Sequence, residues 1–448
     1  MLGSLTFLSL SLTVSAGLVP HDHAHNARHD HSQHDHDVAR ALPGQWYHRD
    51  DHPVHALFRR QGETFPAIGT PEWAAGYPPG PPAFPDTTKM PVEWLNALKD
   101  AVARGAIPNV PISNLSSEGV PTYPAGANPN GPEVCSASYG CRIPTDLWDA
   151  PANHIALSFD DGPLPPSDGL LSFLDEQKEK VTVTHFMIGA NILGQPAQFK
   201  RMFERGDDLA VHTWSHPLMT TQSNEQVVAQ LGWTMEIIYR STGGRVAKYW
   251  RPPQGDSDTR TSAIAREVFG LSTVIWNRET SDWSLGATPP GTTVAKIATS
   301  MNEWLTGPKS PGLMILEHEL SEEAVGTFKA AYPLMKSNGW TVGSLATIMG
   351  NGTAYQNAAS DTSEVVRVAN IVDAKKLNGK PPGNVNTVSA PAPAASSQAP
   401  GSKAVQSSAK PSGSAAAPAP SKSANSARTL VGSSFSALAA VAVLALWS

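Results

Sequence analysis

Two short clusters carry side chains that could do chemistry together: Ser158-Phe159-Asp160-Asp161 and His212-Thr213-Trp214-Ser215-His216. Two imidazoles and a carboxylate make a mixed nitrogen and oxygen ligand set. Such a set suits Zn²⁺, is compatible with other first-row divalent ions, and leaves a coordination position for water. His212 and His216, four residues apart, face the same way on a helical turn, and a strand-to-loop junction would also converge them. With Asp161 as the oxygen ligand, Asp160 is free to take a proton from a water that the cation acidifies. Attack on an amide carbonyl then creates a tetrahedral oxyanion, which the cation and a suitably aimed backbone N–H would stabilise. The departing amine needs a proton, and His318 in Leu316-Glu317-His318 is the remaining candidate acid.

The elements that must position these groups begin at His154. Ile155 to Phe159 reads as a strand and is followed by an Asp-Asp-Gly-Pro turn. Further strands are expected at Val181 to Ile188, Asp208 to His212, Tyr249-Trp250, Thr273 to Trp276, Gly312 to Leu316 and Trp340 to Val342. Helices are expected between them, at Gly169 to Lys178, Pro196 to Glu204, Glu225 to Ser241, Thr259 to Phe269, Val294 to Trp304 and Ala324 to Ser337. Repeated strand–helix units predict an α/β domain over 150–349 with a parallel sheet. Asp160, Asp161, His212, His216, Arg251, Asp282 and His318 all fall just after strands, where the C-terminal mouth of a β/α barrel places its chemistry.

These ordered motifs resemble those of the polysaccharide deacetylases, the NodB-homology family also called carbohydrate esterase family 4, and most closely the fungal chitin deacetylases. The resemblance covers about residues 150 to 349. It implies a distorted (β/α) barrel and one divalent ion, Zn or Co, held by Asp161, His212 and His216. Asp160 matches the general base and His318 the general acid. Arg251-Pro252-Pro253-Gln254-Gly255 matches the motif whose arginine orients the catalytic Asp and whose residue after the second proline gives the oxyanion N–H. That residue is usually Tyr; here it is Gln254, a change that leaves a backbone donor in place and alters the groove wall. In Glu279-Thr280-Ser281-Asp282-Trp283 the resemblance implies that Asp282 tunes His318 and that Trp283, with Leu316, lines a pocket for the acetyl methyl. The family usually has Asp where Glu279 stands, and the longer side chain is expected to displace a contact supporting Arg251 or His318.

The implied reaction is hydrolysis of N-acetyl groups on β-1,4-linked N-acetylglucosamine in chitin, giving chitosan and acetate. Other readings are a deacetylase of another polymer, such as peptidoglycan or acetylated xylan, and a noncatalytic wall-binding protein. The second poorly explains why Asp160, Asp161, His212, His216 and His318 occur as one ordered set. The formal charge of -6 gives no nucleic-acid footprint, and no obligate protein partner is implied.

The flanks say where such an enzyme would work. Residues 1–16 read as a signal peptide, too short for a membrane span of roughly 20 residues. Residues 17–60 form a His-rich leader holding ten of the fifteen histidines. It is expected to lack fixed structure; a propeptide is a comparable reading, since Arg59-Arg60 would suit a dibasic protease, and loose metal buffering is another. Residues 61–149 read as a loop-rich flank with one helix near Val92 to Arg104. The two cysteines, Cys135 and Cys141, are expected to pair in an exported protein. Asn114-Leu115-Ser116 and Asn351-Gly352-Thr353 are N-glycosylation acceptors. After a C-terminal flank at 350–386, residues 387–427 form a Ser/Ala/Pro stalk that cannot bury enough apolar area to order. Residues 428–448 carry a polar spacer and an apolar run, the form of a glycolipid-attachment signal. Asn425 is the expected attachment residue, with Ser423 and Ser426 as alternatives. The sequence thus predicts a secreted protein tethered to the outer membrane face or cell wall by a glycolipid anchor rather than a span.

Overall fold

The computed structural model describes residues 52–58, 64–349 and 352–366. The signal peptide, most of the His-rich leader, Asn351, the stalk, Asn425 and the attachment signal lie outside the described residues. Among the described residues no helix is long and apolar enough to cross a membrane.

Among the described residues, nine short strands run parallel in two sheets. They are β1 (His154–Ala156), β2 (Ser158–Asp160), β3 (Thr184–Met187), β4 (Asp208–Val211), β5 (Tyr249–Trp250), β6 (Ser272–Thr273), β7 (Arg278–Glu279), β8 (Leu313–Leu316) and β9 (Thr341–Gly343). One sheet has the order β2-β3-β4-β5-β6 and the other β9-β1-β8-β7. Two chain runs belong to both sheets. β1 and β2 are separated only by Leu157, and Asp160 bridges to His318 just beyond β8. β6 and β7 are parts of the run 272–279, which pairs with β5 at its start and β8 at its end. The two sheets therefore close on each other, and the expected distorted (β/α) barrel is what the chain forms.

Alternation along the strands divides the core. Ala156, Phe186, Ala210, Tyr249, Val274 and Met314, at most one from each strand run, form the packed barrel interior. Ile155, Leu157, Phe159 and Ile315 belong to an outer layer beneath the helices Ser167–Asp175, Val294–Thr306 and Glu322–Ser337. The largest layer lies beneath Val92–Ala103, Asn224–Ser241 and Thr259–Phe269. Helix starts follow local chemistry: Ser223 with Gln226, and Asp258 with Thr261, form capping boxes. Gly206 and Gly270 end their helices in the left-handed conformation.

The flank before the barrel supplies core as well as covering it. Trp73 and Trp94 are fully buried. Trp94 lies so close to Gly232 that a Cβ there would meet its ring at 2.4 Å. The end of the His-rich leader also departs from the expectation of no fixed structure. Val54, Leu57 and Phe58 are buried, Phe58 packs against Trp94 at 5.8 Å, and His52 Nε2 lies 3.1 Å from the Arg266 carbonyl. Three apolar side chains on one short turn gain more by burial than the surrounding histidine density suggests.

Candidate active site

β2 ends at Asp160, and the chain turns at once through Asp161, whose φ of 73° lies in the left-handed region. This strained turn points two adjacent carboxylates to different partners. Asp160 is buried and accepts a 2.6 Å bond from Arg251 Nη1. Arg251, immediately after β5, is itself fully buried; its Nη2 donates to the Ile275 carbonyl at 3.2 Å and its guanidinium lies 4.1 Å from the Phe186 ring centre. Burial pulls this guanidinium below its ordinary value, and Asp160 opposes that fall. Asp161 instead faces the histidines, its Oδ1 being 3.4 Å from His212 Nε2 and 3.3 Å from His216 Nε2.

The histidine segment is a strand-to-loop junction rather than a helical turn. His212 directly follows β4, and left-handed residues at Thr213 and His216 curl the loop until both rings meet Asp161. Gln230, buried on the helix Asn224–Ser241, holds this loop: its Oε1 accepts from the Trp214 and Ser215 N–H groups, both at 2.9 Å, and its Nε2 donates to Ser215 Oγ. His212 Nδ1 sits 2.8 Å from the Arg251 carbonyl. Donation to that acceptor leaves Nε2 as a lone pair aimed at Asp161.

On the opposite wall His318 lies two residues past β8. Asp282 Oδ1 is 2.6 Å from His318 Nδ1, and Asp282 Oδ2 accepts the His318 backbone N–H at 2.9 Å. One carboxylate therefore fixes both the ring and the chain of this histidine. Burial works against its charge, but Asp282, aided by Asp161 and Asp160, lifts the imidazole to about 10. It is a cation at neutral pH. The Asp282 loop is tied in turn by Thr280, whose Oγ1 donates to the Leu316 carbonyl and accepts the Asp282 N–H.

The residues fit a divalent cation. The ligand atoms of Asp161, His212 and His216 lie within 4.8 Å of one another. Asp161 Oδ1 is buried without a hydrogen-bond partner, an uncompensated position that a cation would satisfy. Burial brings His216 down to about 4 despite Asp161, so its ring is neutral at neutral pH, the form a metal ligand requires. Burial resists ionisation of Asp161, but His216 and His212 hold its carboxyl well below the usual carboxylate range.

The barrel thus gathers Asp160, Asp161, His212, His216, Arg251, Asp282 and His318 at one mouth. Known proteins resemble this chain. Residues 149–271 match the polysaccharide deacetylase family. Chitin deacetylase 3 of Cryptococcus neoformans is 39% identical over 339 residues, spanning 75% of this chain and 79% of that protein. The chain belongs to the polysaccharide deacetylases. Chitin deacetylase 1 of Saccharomyces cerevisiae is 32% identical over 240 residues, spanning 52% of this chain and 76% of that protein. The solved chitin deacetylase of Colletotrichum lindemuthianum aligns at 24% identity and a TM-score of 0.43, over 48% of this chain and 96% of that one.

In this polysaccharide deacetylase Gln254 is an exposed residue with φ 56°, a kink inside Pro253–Gly255. Leu316 is buried at the end of β8, and Trp283 is half-buried beside Asp282, to whose Oδ1 its N–H donates. Glu279 is exposed at the end of β7, paired in register with Leu316. The expected displacement around Arg251 or His318 is not seen: Asp160 and Ile275 hold Arg251, and Asp282 holds His318. Cys135 and Cys141 form a disulfide. Asn114 is exposed in a two-stranded hairpin, Asn114–Leu115 with Pro121–Thr122. The sequence reading missed Gln230, Thr280 and Asn191, whose Nδ2 donates to the Asp161 carbonyl at 2.8 Å. A glutamine amid Val227, Val228 and Leu231 was the visible signal, because a buried amide needs partners.

Proposed function

We propose that this enzyme hydrolyses the N-acetyl groups of β-1,4-linked N-acetylglucosamine in chitin, giving chitosan and acetate. The observation that carries the reading is the pairing of opposite charges on the two walls, Asp160 with Arg251 and His318 with Asp282, around the Asp161, His212 and His216 cluster. The 39% identity to a protein named as a chitin deacetylase supports chitin as the polymer.

Asp161, His212 and His216 would hold one ion, Zn or Co. When bound, the ion would lower the pKa of a water and polarise the acetyl carbonyl. Asp160, held in place by Arg251, takes the water's proton. The Gln254 N–H donates to the oxyanion that develops as the carbonyl is attacked. His318, kept cationic by Asp282, gives its proton to the departing amine. Leu316 and Trp283 border the acetyl methyl and exclude water from it. The enzyme works outside the cell, glycosylated at Asn114 and Asn351 and tethered by a glycolipid at Asn425. It meets chitin or a related polymer without an obligate protein partner.

Acetate release from chitin oligomers, colloidal chitin, peptidoglycan and acetylxylan, with and without a chelator, tests this reading. Release from chitin substrates that the chelator abolishes is expected. Preference for peptidoglycan or acetylxylan would reassign the polymer, and chelator-insensitive turnover would remove the metal from the reaction.

A further inference from the structure

Beneath the mouth lies a buried charge cluster that the proposed reaction does not use. His185 on β3 and Glu319, the residue after His318, are fully buried, and Asp207 nearly so. His185 Nδ1 is 2.8 Å from Glu319 Oε1. Its Nε2 is 3.5 Å from Asp207 Oδ2, an ion-pair separation without hydrogen-bond geometry. Asp207 also accepts from Arg205 Nε at 2.9 Å and from the Val183 N–H. The two buried carboxylates thus face one imidazole and one guanidinium, and that guanidinium is shared with the exposed Asp175.

Glu319 reaches the catalytic turn twice. Its N–H donates to the Asp160 carbonyl at 3.2 Å, while Asp160 N–H donates to the Glu317 carbonyl at 3.0 Å. Its side chain lies directly against the residue after Asp161. A Cβ on Gly162 would sit 2.0 Å from Glu319 Oε1 and 2.4 Å from its Cδ. Glycine stands there because the Glu319 carboxylate occupies the space a side chain would need. We infer that Glu319 is a positioning residue: its carboxylate, pinned by His185, sets the Asp160–Gly162 turn in register with the strand end that carries His318. Burial disfavours charge on His185, yet Glu319 and Asp207 raise it to about 10, so the imidazole is a cation across the neutral range.

The inference rests on the deacetylase reading for its rate readout only. Glu319→Gln keeps the shape and removes the charge. At saturating Zn²⁺ its kcat should fall roughly 10- to 10²-fold, as a misplacement of about an ångström can cause, with KM unchanged. Its Zn²⁺ affinity, measured by chelator competition without substrate, should weaken about tenfold or more, because Asp161 shares the turn. A folded Glu319→Gln enzyme with unchanged kcat and unchanged Zn²⁺ affinity overturns the inference. Absence of acetate release from the unmodified enzyme would sink the deacetylase reading alone and leave the Zn²⁺ measurement as the test. Gly162→Ala approaches the same contact from the other side. It should cost several-fold less in a Glu319→Ala background than in the unmodified chain, since the clashing carboxylate is gone. Equal cost in both backgrounds overturns the contact.

Discussion

The two walls of the mouth solve one problem with opposite signs. On the first, a carboxylate, Asp160, is paired with a buried cation, Arg251; on the second, an imidazole, His318, is paired with a buried anion, Asp282. Each partner holds its group in place, and Asp282 also keeps His318 in the cationic form that the proposed reaction needs. The supports differ, however. Arg251 is fixed by a carbonyl and an aromatic ring at a strand end. Asp282 stands in a loop that begins with left-handed Ser281 and depends on Thr280 for its anchor. The base wall is built from barrel, the acid wall from loop, so the acid wall should be the easier to retune.

Removing a ligand shared by the whole mouth should have the largest effect. His212→Ala or Asp161→Ala should abolish bound metal and acetate release together. Metal analysis and turnover of the purified variants check this, and full turnover in either would sink the ligand assignment. The next test separates the walls. Asp160→Asn and His318→Ala should each keep the metal yet lose turnover by roughly 10² to 10⁴-fold, the usual scale of a lost base or acid. If Asp160→Asn lost its metal while Asp161→Asn kept it, the roles of the two carboxylates would have to be exchanged.

The legible part of the molecule was its chemistry-bearing residues, because they lie in short consecutive runs at strand ends. The helix from Thr259 to Phe269 and the strand at Tyr249-Trp250 were also plain in the sequence, since turns or caps bound them. Other features depend on partners far along the chain. The run 272–279 changes neighbour from β5 to β8, so where one strand is expected at Thr273 to Trp276 the chain forms two short ones, Ser272–Thr273 and Arg278–Glu279. Thr280 and Glu319 resemble ordinary polar residues until the fold buries them. Trp73, in a Pro- and Gly-rich stretch, has no period to place it in the core, whereas Trp94 lies on the helix expected near Val92 to Arg104, with Ala97, Leu98 and Ala101 on the same buried face.

A smaller effect should come from Asp282→Asn, which keeps a hydrogen-bonding side chain but removes the charge. Asp282 is the largest influence raising His318 to about 10, against the depression caused by burial. Without it the imidazole loses its proton at lower pH, so the basic limb of the kcat profile should move down and activity at neutral pH should fall. A bound cation would lower that limb in both enzymes, and the difference between their profiles isolates the pair. Coincident basic limbs would show that the acid wall does not act through this charge.

Glu279→Asp should have the smallest effect, and it separates the loop's backbone from its side chains. The family's usual residue at this position is Asp, which suggests that the longer Glu279 disturbs the acid wall. The structure argues otherwise. Glu279 is exposed at the strand end, while Thr280 next to it points inward and ties the loop to Leu316. Successive residues at a strand end face opposite sides, so shortening Glu279 changes the solvent face and leaves Thr280, Asp282 and His318 in place. Turnover should stay within about twofold, the scale of a substitution away from a buried feature, and the pH profile should superimpose on that of the unmodified enzyme. Thr280→Val, at the neighbouring position, should by contrast lower kcat, because the Leu316 carbonyl and the Asp282 N–H both lose their partner. A shifted profile for Glu279→Asp beside an unchanged one for Thr280→Val would reverse the assignment, making the exposed carboxylate the support of the acid wall.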